Sequence, residues 1–145
     1  MKDNNEIWGL ASFPNGKRYI SVGDDSTLRV WDSETKKQIK VVSTLVDEKG
    51  AVIPLDTATG EAANCTKGRS VDISPDSKYC AVGCRDGTLL IFNVADWKLI
   101  KRIPQCAKNK WIQDLKFSPD GKYLAVSAHD CIITVLLTSN WTKKA

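Results

Sequence analysis

Histidine occurs once in the 145 residues, at His129, and no pair of the five cysteines (65, 80, 84, 106 and 131) has C-x2-C spacing. A Ser or Cys nucleophile normally needs a base within hydrogen-bond reach, and a zinc site needs three or four convergent His or Cys ligands. Neither requirement is met. Cys80 and Cys84 share one face of a strand but stand roughly 13 Å apart at about 3.3 Å per residue, so they read as buried small apolar residues. An odd cysteine count without framework spacing excludes a disulfide scaffold and fits a reducing compartment. The sequons at Asn64 and Asn140 then read as accidental, because glycosylation needs the secretory route.

No apolar run reaches the roughly 18 to 20 residues that span a bilayer, and the opening Met1-Lys2-Asp3-Asn4-Asn5-Glu6 lacks the apolar core of a signal peptide. No membrane partner is expected. Neither G-x-x-x-x-G-K nor G-x-G-x-x-G occurs, so no nucleotide and no other cofactor is implied. Heptads, low-complexity tracts and helix-length amphipathic segments are absent too. Lys plus Arg number 21 against 17 Asp plus Glu, a net charge of +4 spread along the chain, which supports no general nucleic-acid reading. Lysines cluster at Lys36-Lys37-Lys40, Lys98-Lys101-Arg102, Lys108-Lys110 and Lys143-Lys144. On outer strands they would discourage edge-to-edge pairing. The alternative is attraction to an acidic polymer, but a stacking platform needs several aromatics on one face and only Trp97 and Trp111 interleave, so nucleic acid is disfavoured.

What is present is a repeat. Phe13-Pro14-Asn15-Gly16-Lys17, Ser74-Pro75-Asp76-Ser77-Lys78 and Ser118-Pro119-Asp120-Gly121-Lys122 are Pro-led turns, and each Pro stands 11 residues before an Asp: Asp25, Asp86 and Asp130. Between turn and Asp lie strand-length runs rich in β-formers, Tyr19 to Val22, Tyr79 to Val82 and Tyr123 to Val126. Further strands are expected before each turn and after each Asp, at 27–31, 88–92 and 132–136. A fourth, half-solvated strand fits 38–42 and 99–103, and the last repeat lacks a good one. The expected repeats are 6–44, 65–105 and 108–140, with a 45–64 insert read as a hairpin or loop. The turns are 61 and 44 residues apart, and the insert accounts for the excess over roughly 40 to 45 per four-stranded unit.

The Trp31-Asp32 dipeptide closing a third strand, the Ser-Pro-Asp-Gly turn and the Asp-x-Thr corners resemble the WD40 repeat. More narrowly, Glu6-Ile7-Trp8-Gly9-Leu10-Ala11, Val22-Gly23-Asp24-Asp25 through Trp31-Asp32, Lys67-Gly68-Arg69-Ser70-Val71 and Ala81-Val82-Gly83-Cys84-Arg85-Asp86-Gly87 resemble the echinoderm microtubule-associated protein-like (EMAP-like) family. Lys110-Trp111-Ile112-Gln113-Asp114-Leu115 and Ser127-Ala128-His129-Asp130 extend the match. The resemblance implies an all-β fold of about three four-stranded antiparallel propeller blades, an incomplete propeller over 1–145. Three blades leave two uncovered faces, so the chain is expected to be a piece of a longer protein or to close a ring as a homodimer. The Gly-His pair of the repeat is absent throughout, so its His-Ser/Thr-Trp-Asp network cannot form in full.

The resemblance implies a non-catalytic interaction scaffold associated with tubulin and microtubules, cytoplasmic and cytoskeletal. Family microtubule attachment also depends on a coiled coil and basic region outside the propellers, and no heptads occur here, so the expectation is that this chain binds soluble tubulin without bundling microtubules, or binds nothing alone. The alternative is a WD40 adaptor in a ciliary or ubiquitin-ligase assembly. Carried over by position, the partner-facing rim comprises Glu6, Trp8, Asp24, Lys67, Arg69, Arg85, Trp111, Gln113 and His129. Trp8 and Trp111 would otherwise pack between blades. Asp25, Asp86 and Asp130 are expected to bond backbone N–H groups of their own corners.

Overall fold

The structure is a computed structural model that describes residues 6–47, 49–54, 67–104, 106–107 and 110–144. Twelve strands form three sheets, each in chain order from first to fourth strand. The first holds β1 (Ile7–Ser12), β2 (Arg18–Gly23), β3 (Thr27–Asp32) and β4 (Gln38–Ser43). The second holds β5 (Gly68–Ile73), β6 (Tyr79–Cys84), β7 (Leu89–Asn93) and β8 (Leu99–Ile103), and the third β9 (Ile112–Phe117), β10 (Tyr123–Ala128), β11 (Ile133–Leu137) and β12 (Thr142–Lys143). All pairings are antiparallel. No helix occurs among the described residues.

The same corners are built three times from different residues. Gly16, Ser77 and Gly121 take positive φ in the Pro-led turns, Ser26, Gly87 and Cys131 after the corner Asp, and Lys36, Trp97 and Trp141 before the fourth strand. Asp25, Asp86 and Asp130 each accept the backbone N–H two residues on, from Thr27, Thr88 and Ile132, at 3.0 Å. Trp31 donates its indole N–H to Ser21 Oγ at 2.9 Å, the part of the WD40 side-chain network that survives without a Gly-His pair.

The strand alternation builds two cores. Phe13, Ile20, Val22, Leu28 and Val30 of the first sheet pack on Val71, Ile73, Cys80, Val82, Cys84, Leu90 and Phe92 of the second. Ala81, Leu89 and Ile91, on the opposite face of the second sheet, pack on Ile112, Leu115, Phe117, Leu124, Val126 and Leu136 of the third. The middle sheet is thus buried on both faces, which explains the unbroken apolar run Leu89-Leu90-Ile91-Phe92. The outer two sheets each keep one open face, carrying Leu10 at 71% exposure and Ile133 at 72%.

Neighbouring first strands lie side by side, β1 against β5 and β5 against β9. Asp72 Oδ2 ties the second joint by accepting the Phe117 backbone N–H at 2.8 Å. A Cβ at Gly83 would collide with Ile112 and Ser70, so only glycine lets β9 approach β6 this closely.

One sequence expectation needs correction. The third sheet does have a fourth strand, Thr142–Lys143, beyond the expected limit at 140. At two residues it is too short to leave a period. The insert contributes one antiparallel bridge, Val46 to Val52, with Asp47 capping the turn by accepting the N–H groups of Lys49 and Ala51 at 2.9 and 2.8 Å. Most of the rest of the insert expectation, 55–64, lies outside the described residues.

Candidate protein-interaction site

Each sheet's first strand carries a β-bulge near its start. The register skips Trp8 between Ile7 and Gly9, Arg69 between Gly68 and Ser70, and Gln113 between Ile112 and Asp114. A bulged residue is unpaired and its side chain is re-aimed, so the strand's period-2 alternation breaks there. Just past each bulge the corner closes on a backbone bond: the N–H groups of Asp24, Arg85 and His129 donate to the carbonyls of Glu6, Lys67 and Trp111 at 2.9, 2.9 and 3.2 Å. All nine rim candidates therefore sit at one end of the three sheets.

Five of the nine line a single cavity of about 360 Å³: Trp8, Arg69, Arg85, Trp111 and Gln113, with Ile112 as its floor. The Arg69 guanidinium lies 4.0 Å from the Trp8 ring centroid, a cation–π stack, and 3.7 Å from Asp24 Oδ1. That ion pair is too long for a hydrogen bond, and Asp24 Oδ1 and Arg69 Nε are both buried without a hydrogen-bond partner. Trp111 and His129 are in tilted ring contact, with centroids 4.1 Å apart and planes at 53°. Gln113 Oε1 accepts the Trp111 indole N–H at 3.2 Å and lies 3.1 Å from His129 Nε2.

The remaining candidates divide. His129 and Asp24 support the cavity's Trp111 and Arg69 from behind. Lys67 contributes its backbone carbonyl to the Arg85 corner. Glu6 gives its carbonyl to Asp24 but lines a different hollow, on the open face of the first sheet, with Asp25, Arg29 and Trp31. There Arg29 pairs with Asp25 at 3.0 Å and donates to Gln38 at 2.7 Å. Trp8 and Trp111 are not buried between blades; they are 48% and 40% exposed. Arg85 is exposed and has no ion pair among the described residues.

Burial pushes the Cys80, Cys84 and Cys106 thiols up from the ordinary thiol value, which keeps them protonated and unreactive. Among the described residues no group of three His, Cys, Asp or Glu converges to hold a metal. Nor is any helix there long and apolar enough to cross a membrane.

Over its whole length the chain superposes on the crystal structure of RRP9 WD40 repeats with a TM-score of 0.77 at 17% identity, covering 39% of that chain. The chain has the fold of WD40 propeller blades. The structure of U3-55K matches the same blades with a TM-score of 0.77 at 17% identity, with 40% of that chain covered. Residues 2–32 match the WD domain, G-beta repeat, and residues 74–143 match the anaphase-promoting complex subunit 4 WD40 domain. Echinoderm microtubule-associated protein-like 2 of Rattus norvegicus is 28% identical over 139 residues, covering 75% of this chain and 21% of that protein. Echinoderm microtubule-associated protein-like 3 of Mus musculus is 30% identical over 112 residues, covering 62% and 12%. WD repeat-containing protein VIP3 of Arabidopsis thaliana is 27% identical over 99 residues, covering 68% and 29%. The chain thus spans between about a tenth and a third of the length of these relatives, and its WD40 blades form a propeller-type protein-interaction domain.

The cavity floor, Ile112, was missed from the sequence because it reads as an ordinary core position of β9. The bulges were missed too. Gly9 and Gly68 flank the first two on opposite sides and no glycine flanks the third, so no residue pattern marks them.

Proposed function

We propose that these WD40 blades act as a non-catalytic scaffold that binds a protein partner through the rim cavity, and that the partner is tubulin at the microtubule cytoskeleton. The observation that carries the rim reading is the convergence on one cavity of two half-exposed tryptophans and an arginine with no ion pair among the described residues. Trp and Arg dominate binding energy at interfaces, and they do so from pockets that shed water on docking. The tubulin reading rests on similarity to the two echinoderm microtubule-associated protein-like relatives. It makes this chain one part of a larger ring, completed by further blades or by a second copy on the open faces of the first and third sheets.

The match of residues 74–143 to the anaphase-promoting complex subunit 4 WD40 domain favours one second reading, a subunit of another multiprotein assembly. Size-exclusion chromatography with light scattering, run on the chain alone and with soluble tubulin, separates the two. Co-elution with tubulin supports the first reading. A folded chain, monomer or dimer, that leaves tubulin unshifted overturns it in favour of the second.

A further inference from the structure

Arg69 and Arg85 both line the rim cavity, but only one is chemically available. Arg69 is committed on two sides, stacked on Trp8 at 4.0 Å and paired with Asp24 at 3.7 Å, and its side chain is only 16% exposed. Arg85 is exposed and pairs with no carboxylate among the described residues. The cavity therefore offers one free guanidinium, set among the rings of Trp8 and Trp111 and the side chain of Ile112. Gln113 adds a directional group: its Oε1 is occupied by the Trp111 indole N–H, and its amide NH2 has no partner among the described residues.

Resting on the reading of this rim as the interaction site, we infer that the cavity receives an acidic side chain of a partner peptide, its carboxylate on Arg85 and its apolar neighbours against Trp8 and Trp111. Charge complementarity selects the anion, because a guanidinium presents paired N–H donors that match a carboxylate. Size selects a side chain: about 360 Å³ is at the low end of the roughly 300 to 1,000 Å³ of small-ligand sites. Wall chemistry selects a peptide over a nucleic acid. A phosphate backbone is held by a row of cations, with affinity set by how many phosphates are neutralised, and this cavity has a single one without an ion pair among the described residues, beside two tryptophans and Ile112. Gln113 NH2 is placed to donate to a peptide carbonyl. Arg69 is a positioning residue that holds the Trp8 ring at the cavity wall.

The test titrates the 15N-labelled chain with acetyl-Gly-Leu-Glu-Leu-Gly-amide, whose sole carboxylate is the Glu side chain, and follows the five indole N–H signals. The expected result is a saturable shift of the Trp8 and Trp111 signals, with those of Trp31, Trp97 and Trp141 unmoved. Replacing Glu by Gln in the peptide, or Arg85 by Gln in the chain, should weaken binding by at least about tenfold, since a lost charge-assisted pair costs that much. Raising the salt concentration should weaken it further. Equal binding of the Gln peptide, undiminished binding by a folded Arg85→Gln chain, or stronger shifts with an oligothymidylate than with the Glu peptide would each overturn the inference. If tubulin binds in a rim-dependent way while the Glu peptide leaves the indoles unmoved, the ligand chemistry is wrong and the proposed function stands. If the peptide binds and tubulin does not, the reverse holds.

Discussion

Trp8 and Arg69 hold the same bulge position in consecutive blades, and they touch: the guanidinium lies 4.0 Å from the indole ring centroid. The repeat thereby places a cation and an aromatic ring side by side across a blade joint. Arg69 is further held by Asp24, from the first blade's corner, at 3.7 Å. One side chain of the second blade thus clamps two of the first.

Arg69→Met should release this clamp. It removes the cation over Trp8 and leaves Asp24 buried without its counter-charge, so the loss of stability should be about 1 to 3 kcal/mol. Urea unfolding reads it as a lower midpoint at unchanged slope. A midpoint equal to that of the parent chain would show that the stack is incidental.

Ser77 occupies with φ +60° the turn position that is Gly16 and Gly121 in the other two blades. A left-handed conformation costs a non-glycine residue roughly 1 to 2 kcal/mol, and glycine gives back about 0.4 to 1 kcal/mol through the freer unfolded chain. Ser77→Gly should therefore stabilise by up to about 1 kcal/mol. Thermal unfolding should show a rise of a few degrees, and a fall would mean that Ser77 makes a contribution its backbone does not reveal.

Cysteine chemistry should divide by burial. Cys80 and Cys84 are fully buried and Cys106 nearly so, with all three thiols pushed up, whereas Cys131 is exposed at a corner. A brief iodoacetamide pulse on the native chain, followed by peptide mapping, should modify Cys131 and spare the other three. In urea these three should react as well. Native labelling of Cys80 or Cys84 would contradict the packing of the first two sheets.

The Pro-led turns should weaken in acid. Ser74 Oγ donates to Asp76 at 2.6 Å and Ser118 Oγ to Asp120 at 2.6 Å, and these bonds, with the backbone N–H groups of Lys78 and Lys122, hold both carboxyls below the ordinary value. A folded-state pKa below the unfolded one stabilises above the unfolded value of about 4 and is lost as pH falls through the folded value. Asp76→Asn and Asp120→Asn should each lower the urea midpoint at pH 6, and the deficit should shrink at pH 3. A deficit that stays constant between the two would show that the charge plays no part.

Much of the fold was legible because the repeat prints itself in special residues. Pro14, Pro75 and Pro119, with their distant Asp partners, mark corners whose geometry few residues tolerate, and the apolar runs between them have strand length. The two-residue β12 was not legible, since Trp141 looks like any surface aromatic until its φ of +59° aligns it with Lys36 and Trp97. The rim was legible as a set of positions and not as a cavity. Which side chains converge depends on the bulges at Trp8, Arg69 and Gln113, a backbone property shared by three residues with no chemistry in common. Glu6 shows the cost: its place in the repeat matches that of Lys67 and Trp111, yet it lines the open face of the first sheet.

The most direct test of the central claim, that the rim cavity is where a partner docks, is the dissociation constant for soluble tubulin measured with the parent chain and with the Arg85→Glu, Trp111→Ala double variant. Both substitutions are on exposed side chains, so the variant should keep the parent's circular dichroism and unfolding midpoint to within a fraction of a kcal/mol. The expected result is saturable binding by the parent chain and at least about a hundredfold weaker binding by the variant, as for the loss of two interface anchors. A folded variant that binds tubulin as tightly as the parent would contradict the account.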